Sequence, residues 1–332
     1  MYKRQIWGHN LRKVLGANTE KVYATINGKA NDSQLCFSSG EMFRLIESYI
    51  TDNFGEKGKF RFVIAPDDTP YACTCPSCTA IGNTEKNATP AVTELILRLS
   101  QRFPRHFFFT TSYLTTQQVT DKQLPPNAGV IVSAINFPLR RIDGKDAKEK
   151  AFAGQLEQWK NVTKNIYIWD YINNFDDYLT PMPILKIARQ RLQFFKQHGA
   201  SGIFFNGSGY SYSSFDEMRT FVLSALLINP ELSVDNLTAS FFNQEYPAAK
   251  KWLYDYYTDL ENGTQSGKRL GIYASIRESE KAYLTPEKFI KFYDEMNDFV
   301  SNAKGKERKK LHELQTALSY TCLLYTSPSP RD

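Results

Sequence analysis

No apolar run in the 332-residue sequence approaches the roughly 20 residues that a membrane-spanning helix needs, which excludes such a helix from this stretch. Charge of one sign is also scarce. The formal net charge is only +6, and the basic residues are scattered rather than striped, which excludes a strong electrostatic footprint for nucleic acid. No glycine-rich phosphate loop follows any strand-like segment, which argues against a nucleotide-binding doubly wound sheet. What is present is an ordinary globular balance, 42% apolar and 23% charged, on a chain long enough for one large domain with an appendage. Rings are plentiful: 23 Phe and 19 Tyr must occupy surface as well as core.

The two ends stand apart from the rest. Residues 1–5 read MYKRQ and residues 322–332 read CLLYTSPSPRD. Both resemble the conceptual translation of a transposase-adapter sequence, read on opposite strands. They are expected to be non-native, leaving a native segment from about Ile6 to Thr321 that is cut at both sides. Setting aside Lys3, Arg4, Arg331 and Asp332 lowers the charge from +6 to +4. The one dense basic run, KGKERKK at Lys304–Lys310, is expected to be a solvated joint between two helices.

Strand-like and helix-like stretches alternate over most of the length. Gln34–Phe37, Phe60–Ala65, His106–Thr110, Val130–Ile135, Ile166–Trp169 and Gly202–Phe205 read as strands, β-branched or aromatic and apolar on both faces. Helices are expected from Ser38-Ser39-Gly40-Glu41 to about Asn53, from Thr89-Pro90 to Phe103, over Glu149–Trp159 and over Ile184–His198. A further helix is expected from Ser214-x-x-Glu217 to Leu227. Alternation of this kind implies a parallel sheet. Six strands fit a TIM-type (β/α)8 barrel lacking its first strands, spanning residues 6–230. Beyond residue 231 the strand signal stops, and helices are expected over Ser233–Phe242, Ala248–Leu260, Leu270–Ala282, Thr285–Ala303 and Glu307–Tyr320. The fold class is therefore α/β, a partial barrel followed by an all-helical segment over residues 231–321.

In a parallel α/β barrel, chemistry sits at the C-terminal ends of the strands. That rule singles out Asp67 and Asp68 after the second strand and Asp170 after Ile166–Trp169. Two carboxylate-bearing strand ends at one mouth suit glycoside hydrolysis, in which one carboxyl protonates the leaving oxygen and the other attacks or activates water. If the six strands are the third to the eighth, Asp67 and Asp68 end the fourth and Asp170 the seventh. The bland alternative is that Asp67 or Asp68 only caps its own turn. Sugar rings present flat faces to aromatic side chains, so Trp7, Trp169 and Tyr171 are candidate platforms, with Phe175, Tyr178, Tyr210 and Tyr212 near them in sequence or at other strand ends. His9, Tyr113, Asn136 and Asn206 are candidate partners for hydroxyl groups. A glycan-binding barrel without catalysis would use the same residues.

Cysteine is sparse but concentrated. Cys73, Cys75 and Cys78 share one loop, and Cys36 ends the preceding strand. With Cys322 set aside, four thiols fit either a structural zinc site or two disulfides. A catalytic zinc is disfavoured, because four thiolates leave no open position for water.

The motifs Trp7-Gly8-His9-Asn10, LCFSS, APDDTPYACTCPSC, IWDYINNF and LLINPELSVDNLTASFFNQEYPAAKKWL resemble, in order and spacing, the domain of unknown function 4838 family of gut Bacteroidetes. The resemblance covers about Ile6 to Tyr257, and its sharpest parts are the D-x-x-x-x-C-x-C-x-x-C loop from Asp68 to Cys78 and Asp170, the aspartate after the tryptophan. It implies a glycoside-hydrolase-like barrel related to α-glucuronidases and hexosaminidases, a carbohydrate substrate, no cofactor for catalysis and an extracytoplasmic location. One departure matters: the related α-glucuronidases resemble enzymes with a glutamate acid, where this chain offers Asp67 and Asp68.

Overall fold

The computed structural model describes residues 5–207, 213–264 and 268–327, so Tyr210 and Tyr212 lie outside the described residues. The chain divides into two compact units. One comprises Met1–Ala134, Ala151–Trp169 and His198–Phe204, and the other Ile135–Lys150, Asp170–Gln197 and Phe205–Asp332.

The first unit begins with a short helix α1 (Leu11–Leu15) and an antiparallel hairpin, β1 (Tyr23–Ile26) and β2 (Lys29–Leu35). Asn27 and Gly28 form its turn with φ of 51° and 74°, the positive pair that a tight hairpin requires and that Asn-Gly tolerates best. Five parallel strands follow in the order β3-β4-β5-β6-β7: β3 (Arg61–Val63), β4 (Phe107–Ser112), β5 (Ala128–Ser133), β6 (Ile166–Tyr171) and β7 (Gly202–Asn206). This corrects the expectation of six parallel strands. Gln34 and Leu35 end β2 of the hairpin, Cys36 and Phe37 follow it, and none of the four belongs to the parallel sheet. The place beside β3 is taken by the Ile6 backbone, whose carbonyl accepts a 3.0 Å hydrogen bond from Val63 N–H. The result is a curled half-barrel, and no eight-stranded closure is present among the described residues.

Residues alternate across the sheet. Phe62, Ile64 and Phe108 face the helices with Ile46 and Ile50 of α2 (Gly40–Phe54). Helix α4 (Thr89–Arg102) adds Val92, Leu95, Ile96 and Leu99, the three-and-four spacing of a buried stripe. Each such side chain contributes about 1.5–3 kcal/mol on burial. Val63, Ala65, Phe109 and Ile131 face the inner side, with Tyr167 and Trp169 packed against them. Helix α2 is capped by Ser39, whose hydroxyl accepts from Glu41 N–H at 3.2 Å, rather than by Ser38. The chain also forms the helices α3 (Pro76–Ala80) and α5 (Ala147–Lys160).

The second unit is helical: α6 (Leu185–Gln197), α7 (Asp216–Ile228), α8 (Val234–Glu245), α9 (Lys250–Gly263), α10 (Ile276–Ala282), α11 (Pro286–Asn302) and α12 (Gly305–Thr326). The residue before α7 is Phe215 with φ of 56°, so Ser214 is not its cap. The basic run is not a joint. Residues 305–310 form the first turns of α12, and Lys310, 12% exposed, pairs with Glu245 at 2.7 Å and with Glu217. No helix among the described residues is long and apolar enough to cross a membrane.

A buried carboxyl opens α6. Glu261 of α9 is 1% exposed and accepts from Leu185 N–H at 2.8 Å and Lys186 N–H at 3.1 Å, two of the donors a helix start leaves unpaired. Burial raises its carboxyl above the ordinary 4.5, against the lowering effect of those N–H groups. A folded-state pKa raised above the unfolded one stabilises below the unfolded value, and that contribution is lost as pH rises through the folded value. Denaturation of the wild type over about pH 4 to 8 should therefore show a decline that Glu261→Gln lacks. Parallel pH profiles for the two proteins would refute this.

Candidate functional site

The segment before α1, together with the ends of β3 and β4, brings several of the sequence candidates together. Gly8 makes this possible. Its φ is +56°, and a Cβ there would lie 3.2 Å from Trp169 Cη2, so a side chain at this position would be strained and the Trp169 ring would have to give. Gly8→Ala is expected to cost about 1–2 kcal/mol of stability and to displace the Trp169 ring, visible as a changed tryptophan emission maximum. An unchanged melting curve and spectrum would sink this.

Trp7 stacks on Trp169 with centroids 6.3 Å apart and an interplanar angle of 21°. Phe204 of β7 meets both edge-on, at 5.8 Å from Trp7 and 4.8 Å from Trp169. Both tryptophans are half-buried on the inner core, and Trp169 Nε1 has no acceptor among the described residues. The trio is thus partly core and partly open ring face.

Beside it, exposed His9 holds its Nδ1 at 2.7 Å from the Pro66 carbonyl. A carbonyl can only accept, so Nδ1 carries the proton and Nε2 points its lone pair elsewhere when the ring is neutral. Tyr113, just after β4, packs against the imidazole with centroids 5.9 Å apart. Asp67 and Asp68 follow Pro66 directly. Asp68 is exposed. Asp67 accepts from Arg12 Nε of α1 at 2.5 Å and is 15% exposed. Burial raises its carboxyl above the ordinary 3.8, although the Arg12 bond and charge and the nearby His9 all pull it down.

Gln34 fixes this turn. Its side-chain oxygen accepts from Asp67 N–H at 3.0 Å, and its amide donates to the Asp67 carbonyl at 3.2 Å and to Thr69 Oγ1 at 3.1 Å. Asp67 and Asp68 therefore do not cap their own turn; a residue two positions before Cys36 holds it. Arg12, Gln34 and Phe204 were not legible as site residues. Arg12 lies three residues after His9, but nothing in the sequence pairs it with Asp67.

Asp170 is placed differently. On β6 burial alternates, so Asp170 shares its face with Ile166 and Ile168 while Trp169 shares the other with Tyr167 and Tyr171. Asp170 is 0% exposed, and both of its carboxylate oxygens are taken by Arg191 of α6, Oδ2 by Nε at 2.9 Å and Oδ1 by Nη2. Oδ1 also accepts from Tyr171 N–H at 2.8 Å. Arg191, 1% exposed, completes its bonding on the carbonyls of Phe137 at 3.3 Å and Pro138 at 2.9 Å. The remaining candidates lie in the second unit: Tyr171 packs edge-on with Phe175 at 6.0 Å, Asn136 is exposed, and the Asn206 carbonyl accepts from Ile172 N–H at 3.0 Å.

The four loop and strand cysteines converge. All four Sγ atoms of Cys36, Cys73, Cys75 and Cys78 lie within 4.8 Å of one another, and none is in a disulfide.

Comparison with known proteins finds a matching family model and similar chains among the solved structures. No curated protein matches the chain. Among solved structures, an O-GlcNAc hydrolase mutant of Thermobaculum terrenum is similar at 14% identity with a TM-score of 0.44, over 88% of this chain and 64% of that one. The chain thus spans less than two thirds of that protein's length. Residues 11–259 match the family described as a domain of unknown function, DUF4838, which is most of the chain and includes the cysteine loop and β6. The chain belongs to the DUF4838 family.

Proposed function

We propose that this protein acts on carbohydrate through the strand ends of its half-barrel, as a glycoside hydrolase with a carboxylate acid on the Asp67-Asp68 turn. The observation that carries this is the juxtaposition of a half-open Trp7–Trp169 stack with His9, Tyr113 and an exposed carboxylate. An apolar ring face covers the flat side of a sugar, while the imidazole, phenol and carboxylates answer its hydroxyl groups. Asp68 is the proton donor in this reading, because it is open to solvent and substrate. Asp67, held by Arg12 and Gln34, positions the turn. Asp170 is a structural anion, since a carboxylate closed off by Arg191 can neither attack a sugar nor activate water.

That last point favours a second reading. With Asp170 enclosed, the mouth lacks its expected second strand-end carboxylate, and a glycan-binding barrel needs none. A panel of polysaccharides and aryl glycosides offered to the wild type and to Asp68→Asn separates the two. Turnover lost in Asp68→Asn supports hydrolysis. Binding that falls in Trp169→Ala, with no turnover by any variant, supports the binding module. Neither turnover nor binding across the panel would refute both. The expected setting is extracytoplasmic, where polymeric glycans are met.

A further inference from the structure

We propose that Cys36, Cys73, Cys75 and Cys78 bind a single zinc ion as four thiolates, and that this ion anchors the loop bearing Asp67 and Asp68. The geometry separates this from the disulfide alternative. Cys36 Sγ lies 3.7 Å from Cys75 Sγ and 3.8 Å from Cys78 Sγ. A tetrahedron with zinc–sulfur bonds of about 2.3 Å has edges of about 3.8 Å. A disulfide needs sulfurs about 2.05 Å apart in pairs, and gives no reason for four to meet at one point. The sulfurs of an iron–sulfur cluster ligate different irons and spread wider than those around one ion.

The surroundings are those of a metal-bound thiolate set. Thr25 N–H donates to Cys73 Sγ at 3.2 Å, and Cys78 N–H donates to Cys75 Sγ at 3.5 Å. Ser38 Oγ sits 3.0 Å from Cys78 Sγ and 3.5 Å from Cys36 Sγ, which is why Ser38 does not cap α2. Such outer partners orient thiolate ligands and spread their charge. Cys36, Cys73 and Cys78 are buried, so their ionised forms require a cation among them. Four thiolates fill a tetrahedral ion completely, which makes the site structural.

The placement gives it a purpose. The chain between β3 and α4 is long, and its only regular element among the described residues is the five-residue α3. Loops of this length need a device to order them. The ion would join that loop to Cys36 at the end of β2, and Gln34 on the same strand end already grips Asp67. Two ties from one strand would therefore hold the Asp67-Asp68 turn. The metal site stands or falls apart from any glycan chemistry, because its readouts involve no sugar.

The experiment is elemental analysis of the purified 332-residue chain, with a thiol count and a cobalt(II) titration of chelator-treated protein. One zinc per chain, or a one-to-one cobalt complex with the intense visible bands of a tetrahedral thiolate site, is the expected result. Cys322→Ser should leave both unchanged, and Cys78→Ser should abolish them. If Cys78→Ser does not fold, chelator treatment of the wild type still reports, through a melting temperature lowered by at least about 5 °C. Two disulfides by mass spectrometry would overturn the proposal. So would five free thiols, Cys322 included, in a chain that takes up neither zinc nor cobalt.

Discussion

Arg191→Leu is expected to destabilise the second unit by about 3–5 kcal/mol, enough to unfold it in many conditions. Asp170 and Arg191 are 0% and 1% exposed, so neither charge has water to fall back on. Removing the guanidinium takes two charge-assisted hydrogen bonds from the Asp170 carboxylate, and one donor each from the carbonyls of Phe137 and Pro138. It also removes a cation packed 4.6 Å from the centre of the Phe137 ring. Asp170→Asn should cost less, because Arg191 keeps both carbonyls and that ring. The double variant Asp170→Leu with Arg191→Met should recover much of the loss, since a buried pair replaced by apolar groups is often neutral. Urea denaturation of the three variants gives the numbers. A single-variant cost under about 1 kcal/mol would show the pair to be dispensable, since exposed pairs contribute no more than that. An Asp170→Asn protein that is fully stable yet loses turnover would return Asp170 to the chemistry.

Asp68→Asn is expected to reduce turnover of a responsive glycan by about 10²–10⁴-fold, the usual contribution of a positioned acid, with the melting temperature unchanged. The side chain is exposed and its replacement is nearly isosteric, so no packing is disturbed. Asp67→Asn tests the other carboxyl. It weakens a part-exposed ion pair worth about 1 kcal/mol or less, and should slow turnover mainly by loosening the turn. Equal and large losses of turnover in both, at unchanged stability, would make the proton donor Asp67 rather than Asp68. No loss in either would remove the turn from the mechanism.

The cysteine pattern was legible because its spacing is short. Three cysteines within six positions can only share one loop, and Cys36 at the end of the previous element is their natural fourth. The choice between disulfides and metal was not legible, because it depends on where four sulfurs meet. The hairpin was missed. Asn27-Gly28 is a strong turn signal, yet the apolar end of β2 resembles a buried parallel strand when read alone. The clearest lesson lies on β6. Trp169 and Asp170 are adjacent on a strand, so they face opposite sides, and both cannot serve one mouth. That much is local. Which of the two faces the sheet interior depends on Arg191, 21 residues later, supplying a partner on the helix side.

From the sequence alone came the alternation of strands and helices from Phe60 to Phe205, the change to an all-helical region and the concentration of candidates at strand ends. These follow from side-chain periodicity and turn chemistry, which act over a few residues. The tertiary structure decided which strands pair, that Ile6 and not Gln34–Phe37 lies beside β3, and that Asp67 answers to Arg12 and Gln34. It also decided that Asp170 is sealed while Trp7 and Trp169 meet. Those outcomes rest on contacts between residues far apart in the chain, whose partners are set by the packing of whole elements.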